Sequence, residues 1–415
     1  MIILMIESNM TGVPAVKRAI DNDIDVIFLT TDLSYYKSSP DFSALLNPRC
    51  RLIELPSVAN VDSCVQLVKE LSVTNKIDGV TTFSELHIVH VAAVAAALGL
   101  PGMSIAAALN ARHKHKTRQV LQTLPSIKQP RFEHVLHLAD LEQAIDRVGL
   151  PCVVKPSDGT GSLAVVHLSS QQDREAYLME LNECADYGRG ISRQADMLVE
   201  EFISGALVSV EACVREGKVT NLGITDRLLS GFPHFIEMGC CYLREHEWRE
   251  ELFAMNVAVL TGLGISFGFT HTEYFLTADG PVLCEVNGRL AGGVVPTLMR
   301  VPTGVDPLIE VVRLALGHEP HLPIVTDHVA AGRWFGVGTP GVLRGVDFND
   351  VADQEGYIES ASYRSAGDKV TALAKSNFDW LGHVIFTAMT PAAAYARAEK
   401  ALDRTVVSLD LGVAR

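Results

Sequence analysis

Residues 267–293, reading FGFTHTEYFLTADGPVLCEVNGRLAGG, limit what this 415-residue chain can become more than any other stretch. Residues 269–276 alternate in polarity and are rich in Thr, Tyr and Phe, 277–281 carry turn residues, and 282–286 form a second apolar run. That pattern predicts a β-hairpin. A turn centred on Asp279 sets Glu273 opposite Glu285 and His271 opposite Asn287. Side chains two apart on a strand share a face, so Glu273, Glu285 and Asn287 form one oxygen-rich patch with Arg289 just beyond it. Directly opposed carboxylates repel unless a cation lies between them. Hard oxygen donors suit Mg²⁺, which takes one or two carboxylates together with substrate phosphates, and Arg289 can clamp a phosphoryl group.

The rest of the chain sets bounds. Its length supplies two or three domains. A net charge of −14 argues against a nucleic-acid partner, which needs clustered Lys and Arg. Eight cysteines occur, none spaced C-x-x-C, with Cys240 and Cys241 adjacent. They read as buried thiols of a reducing compartment. MIILMI lacks a basic leader, and the apolar run 91–108 is cut by Pro101-Gly102. Neither a secretion signal nor a membrane span is expected, and the expected location is cytoplasmic.

In chain order, residues 2–6, 25–30, 51–55 and 79–83 read as strands alternating with helices at 14–22, 62–75 and 85–98. This predicts a parallel, doubly wound sheet. No G-x-G-x-x-G follows the first strand, so no dinucleotide site is expected. The strand ends Glu7, Ser8, Asn9, Ser84 and Glu85 remain candidates for a small-ligand site or a structural lobe. A helix after Ser104 carries Lys114 and Arg118 on one face, while His113 and His115 do not share a face. Strands at 131–136 and 151–155 flank a helix at 138–148. Lys155 then leads into the glycine-rich loop 157–162 (SDGTGS), followed by a strand rather than a helix, so this is not a Walker loop. Its backbone N–H groups can approach phosphate oxygens closely. An apolar strand at 197–203 carries Glu200 and Glu201. A hairpin at 208–224, with Glu211 on it, and a helix at 247–263 precede the 267–293 segment. Beyond 306 the chain reads as a small α+β lobe.

These pieces in order — Lys114 in ARHK, Lys155 with the loop 157–162, VEEFISG at 199–205, and Glu273 with Glu285, Asn287 and Arg289 — resemble the ATP-grasp superfamily of carboxylate–amine ligases. The resemblance covers nearly the whole chain. It implies an α/β and α+β protein with a Rossmann-like pre-ATP-grasp lobe (1–103), two clamp lobes (104–203 and 204–305) and a C-terminal lobe (306–415). Lys114, Lys155 and the loop residues Ser157, Gly159, Gly161 and Ser162 are then expected on ATP phosphates. Glu200, Glu201, Phe202 and Ile203 form the adenine hinge, largely through backbone groups. Glu273, Glu285 and Asn287 hold Mg²⁺ (or Mn²⁺ as a substitute), and Arg289 steadies the transferred phosphoryl group. Many relatives have Gly-x-Glu after the hinge, with the Glu on the ribose. Here Gly205-Ala206-Leu207 lacks that carboxylate. Within the superfamily the chain looks most like L-amino-acid ligases that make dipeptides, on ITDR at 224–227, PHFIEMG at 233–239 and THTE at 270–273. Arg227, Glu237, His271 and Gly292-Gly293 would then lie near amino-acid substrates, and a homodimer is common in such proteins. Two other readings stay open: another carboxylate-activating enzyme of the carboxylase or nucleotide-precursor kind, and a nucleotide-binding sensor on the same scaffold.

Overall fold

The computed structural model describes residues 1–180, 196–373 and 376–411. Four parallel strands, β1 (Ile2–Ile6), β2 (Asp25–Thr30), β3 (Cys50–Glu54) and β4 (Gly79–Thr81), form the first sheet in the order β3-β2-β1-β4. The strands read as continuous apolar runs because both faces are covered. Ile3, Met5 and Phe28 pack to one side, Leu4, Ile6, Ile27 and Leu29 to the other. The order reverses between β1 and β4, and that crevice is where ligands settle in open α/β sheets. Ser8, Asn9, Ser84 and Glu85 line it.

A second sheet holds β5 (Phe132–Val135), β6 (Cys152–Pro156), β7 (Val166–Leu168) and β8 (Met197–Glu201) in the order β5-β8-β6-β7, all paired antiparallel. The helix Leu141–Val148 covers it with Leu141, Ala144, Ile145 and Val148, an i, i+3, i+4, i+7 stripe. The strand expected after the glycine-rich loop begins only at Val166, because Ser162 and Ala164 take positive φ values of 57° each.

The remaining strands are β9 (Ala206–Arg215), β10 (Lys218–Leu229), β11 (Glu237–Leu243), β12 (Gly268–Thr277), β13 (Gly280–Asn287), β14 (Val329–Phe335), β15 (Gly341–Asp347), β16 (Tyr357–Ser362), β17 (Lys369–Val370), β18 (Gly382–Ala388) and β19 (Val406–Asp410). Eight of them make one sheet, β13-β12-β9-β10-β11-β14-β18-β16, and β17-β15-β19 make a small one. Three strands beyond residue 306 therefore extend the central sheet, where the sequence suggested only a separate lobe. The helix Pro307–Ala315 runs back under the first sheet. Its Ala315 carbonyl would lie 2.5 Å from a Cβ at Gly79, so only glycine fits there, and Arg18 pairs with Asp306 at 2.7 Å.

Alternation gives the central sheet two unlike faces. Val208, Val210, Ala212, Ile224, Tyr274, Leu283 and Val286 pack against the helix Arg249–Gly262 and the helices at 105–121. Ser209, Glu211, Arg227, His271, Glu273 and Glu285 are left on the other face.

Candidate active site

The hairpin β12–β13 pairs His271 with Asn287 and Glu273 with Glu285, the register expected from sequence. The route differs at the turn. Thr277 pairs with Gly280 around Ala278-Asp279, and an irregularity after Glu273 restores the register. The extra residue is on β13, at Cys284, and turns Glu285 onto the charged face.

The two carboxylates are driven apart in proton affinity. Burial raises the Glu273 carboxyl, but its bond to His271 (Nε2 to Oε1, 3.0 Å) and the nearby Arg227 and Lys114 bring it down to about 2. Glu285 goes up: burial, Glu85 and Glu273 outweigh the Lys114 ammonium, which touches its Oε1 at 2.9 Å. Opposed, half-buried, oxygen-only donors need a positive partner, and Lys114 supplies one here. Asn287 completes the set; in the orientation that satisfies its surroundings its Nδ2 donates to both Glu85 oxygens, at 2.7 and 3.0 Å. Glu273, Glu285 and the Asn287 carbonyl therefore fit a hard divalent cation such as Mg²⁺.

Glu85, from the crevice of the first sheet, also accepts from Arg289 Nη2 at 3.1 Å. Arg289 Nη1 donates to the Leu290 carbonyl at 3.0 Å, and its Nε is buried without a hydrogen bond among the described residues. A Cβ on Gly292 would lie 3.3 Å from Asn9, so the first lobe closes one side of this space.

The glycine-rich loop closes another. Lys114 Nζ donates to the Gly159 carbonyl at 2.7 Å, and its backbone N–H to the Ser157 carbonyl at 2.8 Å. Gly161 has φ 63°, a conformation that costs other residues strain, and the Phe378 ring would lie 2.9 Å from a Cβ there. The 3₁₀ turn Asn377–Asp379 thus reaches over the loop. It also holds Glu237: Asn377 Oδ1 accepts from the Glu237 N–H at 3.0 Å, and Trp380 Nε1 donates to the Glu237 carbonyl at 2.8 Å. Nothing in the sequence linked residues 376–380 to the site.

Lys155 and Glu200 meet at the base of the clamp. Glu200 accepts from Lys155 Nζ and from Arg118 Nε, both at 2.6 Å, and its side chain is 5% exposed. Burial raises its carboxyl, but the two cations hold it down to about 2. Helix spacing puts Arg118 on one face with Lys114, but no local pattern assigns it an acidic partner. In the segment expected to form the adenine hinge, the Glu201 and Phe202 N–H groups donate to the Arg131 and Pro151 carbonyls at 3.0 and 3.2 Å, and the Glu201 side chain pairs with Arg131. Phe202 packs its ring against His167 at 4.5 Å and Phe232 at 5.6 Å; Ile203 follows, half-buried. Leu207 lies opposite Phe275 and brings no oxygen.

Beyond Glu273 a buried polar network fills the charged face. His271 Nδ1 faces Glu211 at 2.9 and 3.0 Å, and Ser209 and Thr225 hydroxyls donate to Glu211 at 2.8 and 3.0 Å. Burial depresses the imidazole, but Glu211 and the Glu273 bond more than reverse this, to about 9. Arg227 Nη2 lies 3.0 Å from the same Nε2 that faces Glu273. One nitrogen cannot accept from Arg227 and donate to Glu273 at once. With a carboxylate on each side, the imidazolium is the satisfied form, and Arg227 is balanced instead by Glu237, its Nη1 lying 2.9 Å from both oxygens. Burial and the Glu273 charge outweigh Arg227 at Glu237 and raise its carboxyl. Glu211, which makes His271 cationic, carries no motif signal in the sequence.

A clamp sheet with a glycine-rich loop, facing a larger sheet that presents paired carboxylates, an Asn and an Arg, defines the ATP-grasp class. The family matches agree. Residues 148–297 match the ATP-grasp domain, 23–102 the ATP-grasp N-terminal domain, and 333–410 the L-amino acid ligase C-terminal domain 2. The chain thus carries an ATP-grasp domain between an ATP-grasp N-terminal domain and an L-amino acid ligase C-terminal domain. It is 28% identical over 268 residues to an alanine–anticapsin ligase of Bacillus subtilis, covering 60% of this chain and 56% of that one. It is 30% identical over 264 residues to carnosine synthase 1 of Mus musculus, covering 60% of this chain and 32% of that one. These matches thus span about half and about a third of the two relatives. In fold it is similar to an L-amino acid ligase from Bacillus licheniformis, with TM-score 0.82 and 23% identity, covering 99% of this chain and 98% of that one. No helix among the described residues is long and apolar enough to cross a membrane.

Proposed function

We propose that the chain is an ATP- and Mg²⁺-dependent ligase that activates an amino-acid carboxylate as an acyl phosphate and couples it to the amine of a second amino acid, releasing ADP and phosphate. The observation that carries this is the continuity of one charged face. Phosphate-binding candidates (Lys114, Lys155, the loop 157–162) border the carboxylate pair Glu273/Glu285, and that pair borders the buried Arg227–Glu237–His271 network. Phosphoryl transfer needs positioning and charge neutralisation more than covalent protein chemistry, and no nucleophilic side chain is required. The cation, when bound, supplies charge neutralisation to ATP phosphates.

The residues divide the work. Lys114 and Lys155 exchange Glu285 and Glu200 for phosphate oxygens. Loop 157–162 offers backbone N–H groups, and the hinge 200–203 borders the adenine. Arg289 turns from Glu85 to the phosphoryl group in flight or to the carboxylate that receives it. His271, cationic at neutral pH, and Arg227 draw a substrate carboxylate into the network. Glu237, the carboxyl with raised proton affinity, takes the proton that the attacking ammonium must lose. The resemblance to an anticapsin ligase and a carnosine synthase supports amino-acid substrates on both sides of the bond.

The test is phosphate release from MgATP against the twenty amino acids, singly and in pairs, with products read by mass spectrometry. Release that needs a particular pair, with a product mass equal to their sum less water, is expected. ATP binding with no phosphate release in any mixture refutes the reading and favours a nucleotide sensor.

A further inference from the structure

The clamp sheet carries one more polar group on the side of Lys155 and Glu200. His167 pairs with Val153 across β7 and β6, and Val153 pairs with Glu200 across β6 and β8. Directly paired residues share a face, and so do residues two apart on one strand. His167 therefore stands on the face of Lys155, Glu200 and Phe202, while Cys152, Val154, Leu168 and Val199 fill the core on the other face. Burial lowers the proton affinity of the His167 imidazole more than Asp173 raises it, so the ring is neutral at pH 7. Its Nε2 is buried and has no hydrogen bond among the described residues, a costly state for a polar atom. The loop 230–236, which leaves the central sheet between β10 and β11, covers it. The His167 N–H, on the free edge of β7, donates to the Pro233 carbonyl at 3.2 Å. The Phe232 and Phe202 rings lie 4.4 and 4.5 Å from the imidazole, and the Phe235 ring lies 6.3 Å away, nearly perpendicular. Phe235 holds φ at 47°, a conformation that a bulky residue keeps only where its surroundings fix it. Ser230 closes the base of the loop: its N–H donates to the Ile236 carbonyl at 2.7 Å, and its Oγ accepts from the Ile236 N–H at 2.9 Å.

We propose that His167 and the loop 230–236 bind the nucleoside of ATP, with His167 Nε2 bonded to a ribose hydroxyl and the Phe232 and Phe235 rings packed over the adenosine. This rests on the reading that the hinge 200–203 borders the adenine. Phe202 belongs to that hinge and touches both His167 and the loop, so the imidazole lies where the sugar follows the base. Leu207 brings no oxygen to the ribose, and a neutral imidazole nitrogen, which either donates or accepts, suits a hydroxyl. Phe232, at the tip of the loop, is 63% exposed and free to pack on a ligand. Because the loop rings cover Nε2, a nucleoside reaches it only by parting the loop from β7. Arg227 lies just before the loop and Glu237 directly after it, so filling the ribose position moves the pair that faces His271.

The test is calorimetric titration of the full chain with the magnesium complexes of ADP, 2′-deoxy-ADP and 3′-deoxy-ADP, which are not turned over. The native protein should bind one of the deoxy forms about 3–10-fold more weakly than ADP, the scale of one neutral hydrogen bond. His167→Leu should weaken ADP by the same factor and no longer distinguish that deoxy form from ADP. Phe232→Ala, at an exposed tip where folding is not at stake, should weaken all three nucleotides about fivefold or more, as loss of a ring packed on a base does. Circular dichroism verifies that each variant is folded. Sugar discrimination that survives His167→Leu, or ADP affinity unchanged by His167→Leu and Phe232→Ala, overturns the assignment. A merely structural His167 would alter affinity for the three nucleotides alike and leave their ratio intact. ADP binding with the expected ratios but no ligation in any amino-acid mixture refutes the ligase and leaves the nucleoside contact standing, so the two proposals fail separately.

Discussion

Replacing Glu200 by Gln tests whether the base of the clamp is held by charge. The native carboxylate faces two cations at 2.6 Å and is almost wholly buried. The amide oxygen introduced by Glu200→Gln can accept from one of them, but the amide N–H₂ then faces the other. Removing one partner from a buried ion pair costs about 3–5 kcal/mol, because the remaining charge stays buried without compensation. The proton affinity leads to the same order. A fall from 4.5 to about 2 is worth about 3 kcal/mol at 1.36 kcal/mol per pH unit. The sign follows from linkage. A carboxyl depressed in the folded state stabilises fully above its unfolded value and loses that contribution as pH falls towards its folded value. The cost of the substitution should therefore be constant from pH 7 to about 5 and smaller by about 1 kcal/mol at pH 3.5. Glu200 lies on β8 between β5 and β6, so the assay is hydrogen exchange of amides in those strands, which reads local opening of this sheet. Protection unchanged by Glu200→Gln, or a loss with no pH dependence, would refute the argument.

Three further outcomes follow from the site. Glu285→Gln should cut phosphate release by about 10²-fold or more, the scale for losing one preorganised charge-stabilising group, while circular dichroism stays native; full turnover would remove Glu285 from the cation site. Glu211→Gln should let the His271 imidazole titrate well below 9 by NMR, because the carboxylate that offsets burial is gone. It should also lower kcat/KM for the amino-acid substrates about tenfold or more with KM for ATP little changed, and an imidazole that still titrates near 9 would show that Glu211 is not the cause. Gly161→Ala meets Phe378 and a φ of 63° that costs an L-residue about 1–2 kcal/mol. KM for ATP should rise severalfold and limited proteolysis should cut the loop faster, and neither change would mean that the loop does not act in this conformation.

How far the sequence reaches is best seen at the hairpin and at Glu200. The register of Glu273 on Glu285 was legible because strand period and turn residues are local properties, and pairing across a hairpin needs no other part of the chain. Even there, the sequence placed the turn without the extra residue at Cys284, since an irregularity in a ladder reflects twist against neighbouring strands. The doubly wound order of β1–β4 was likewise legible, as continuous apolar runs demand cover on both faces. Lys114, Lys155, the glycine-rich loop and Arg289 could be singled out by residue type.

Their present partners could not. Arg118 and Glu200 are 82 residues apart, Arg289 and Glu85 are 204 apart, and Glu237 and Asn377 are 140 apart. His167 and the loop 230–236 carry no common spacing at all. Such contacts are set by how whole sheets and helices dock, through burial summed over many side chains, and no short-range pattern encodes them. By itself the sequence determined which strands form, which residues face each other across a turn, and which chemistry they can do. Only the tertiary structure decided which carboxylate meets which cation, because a charge buried among distant elements takes its proton affinity and its partner from all of them together.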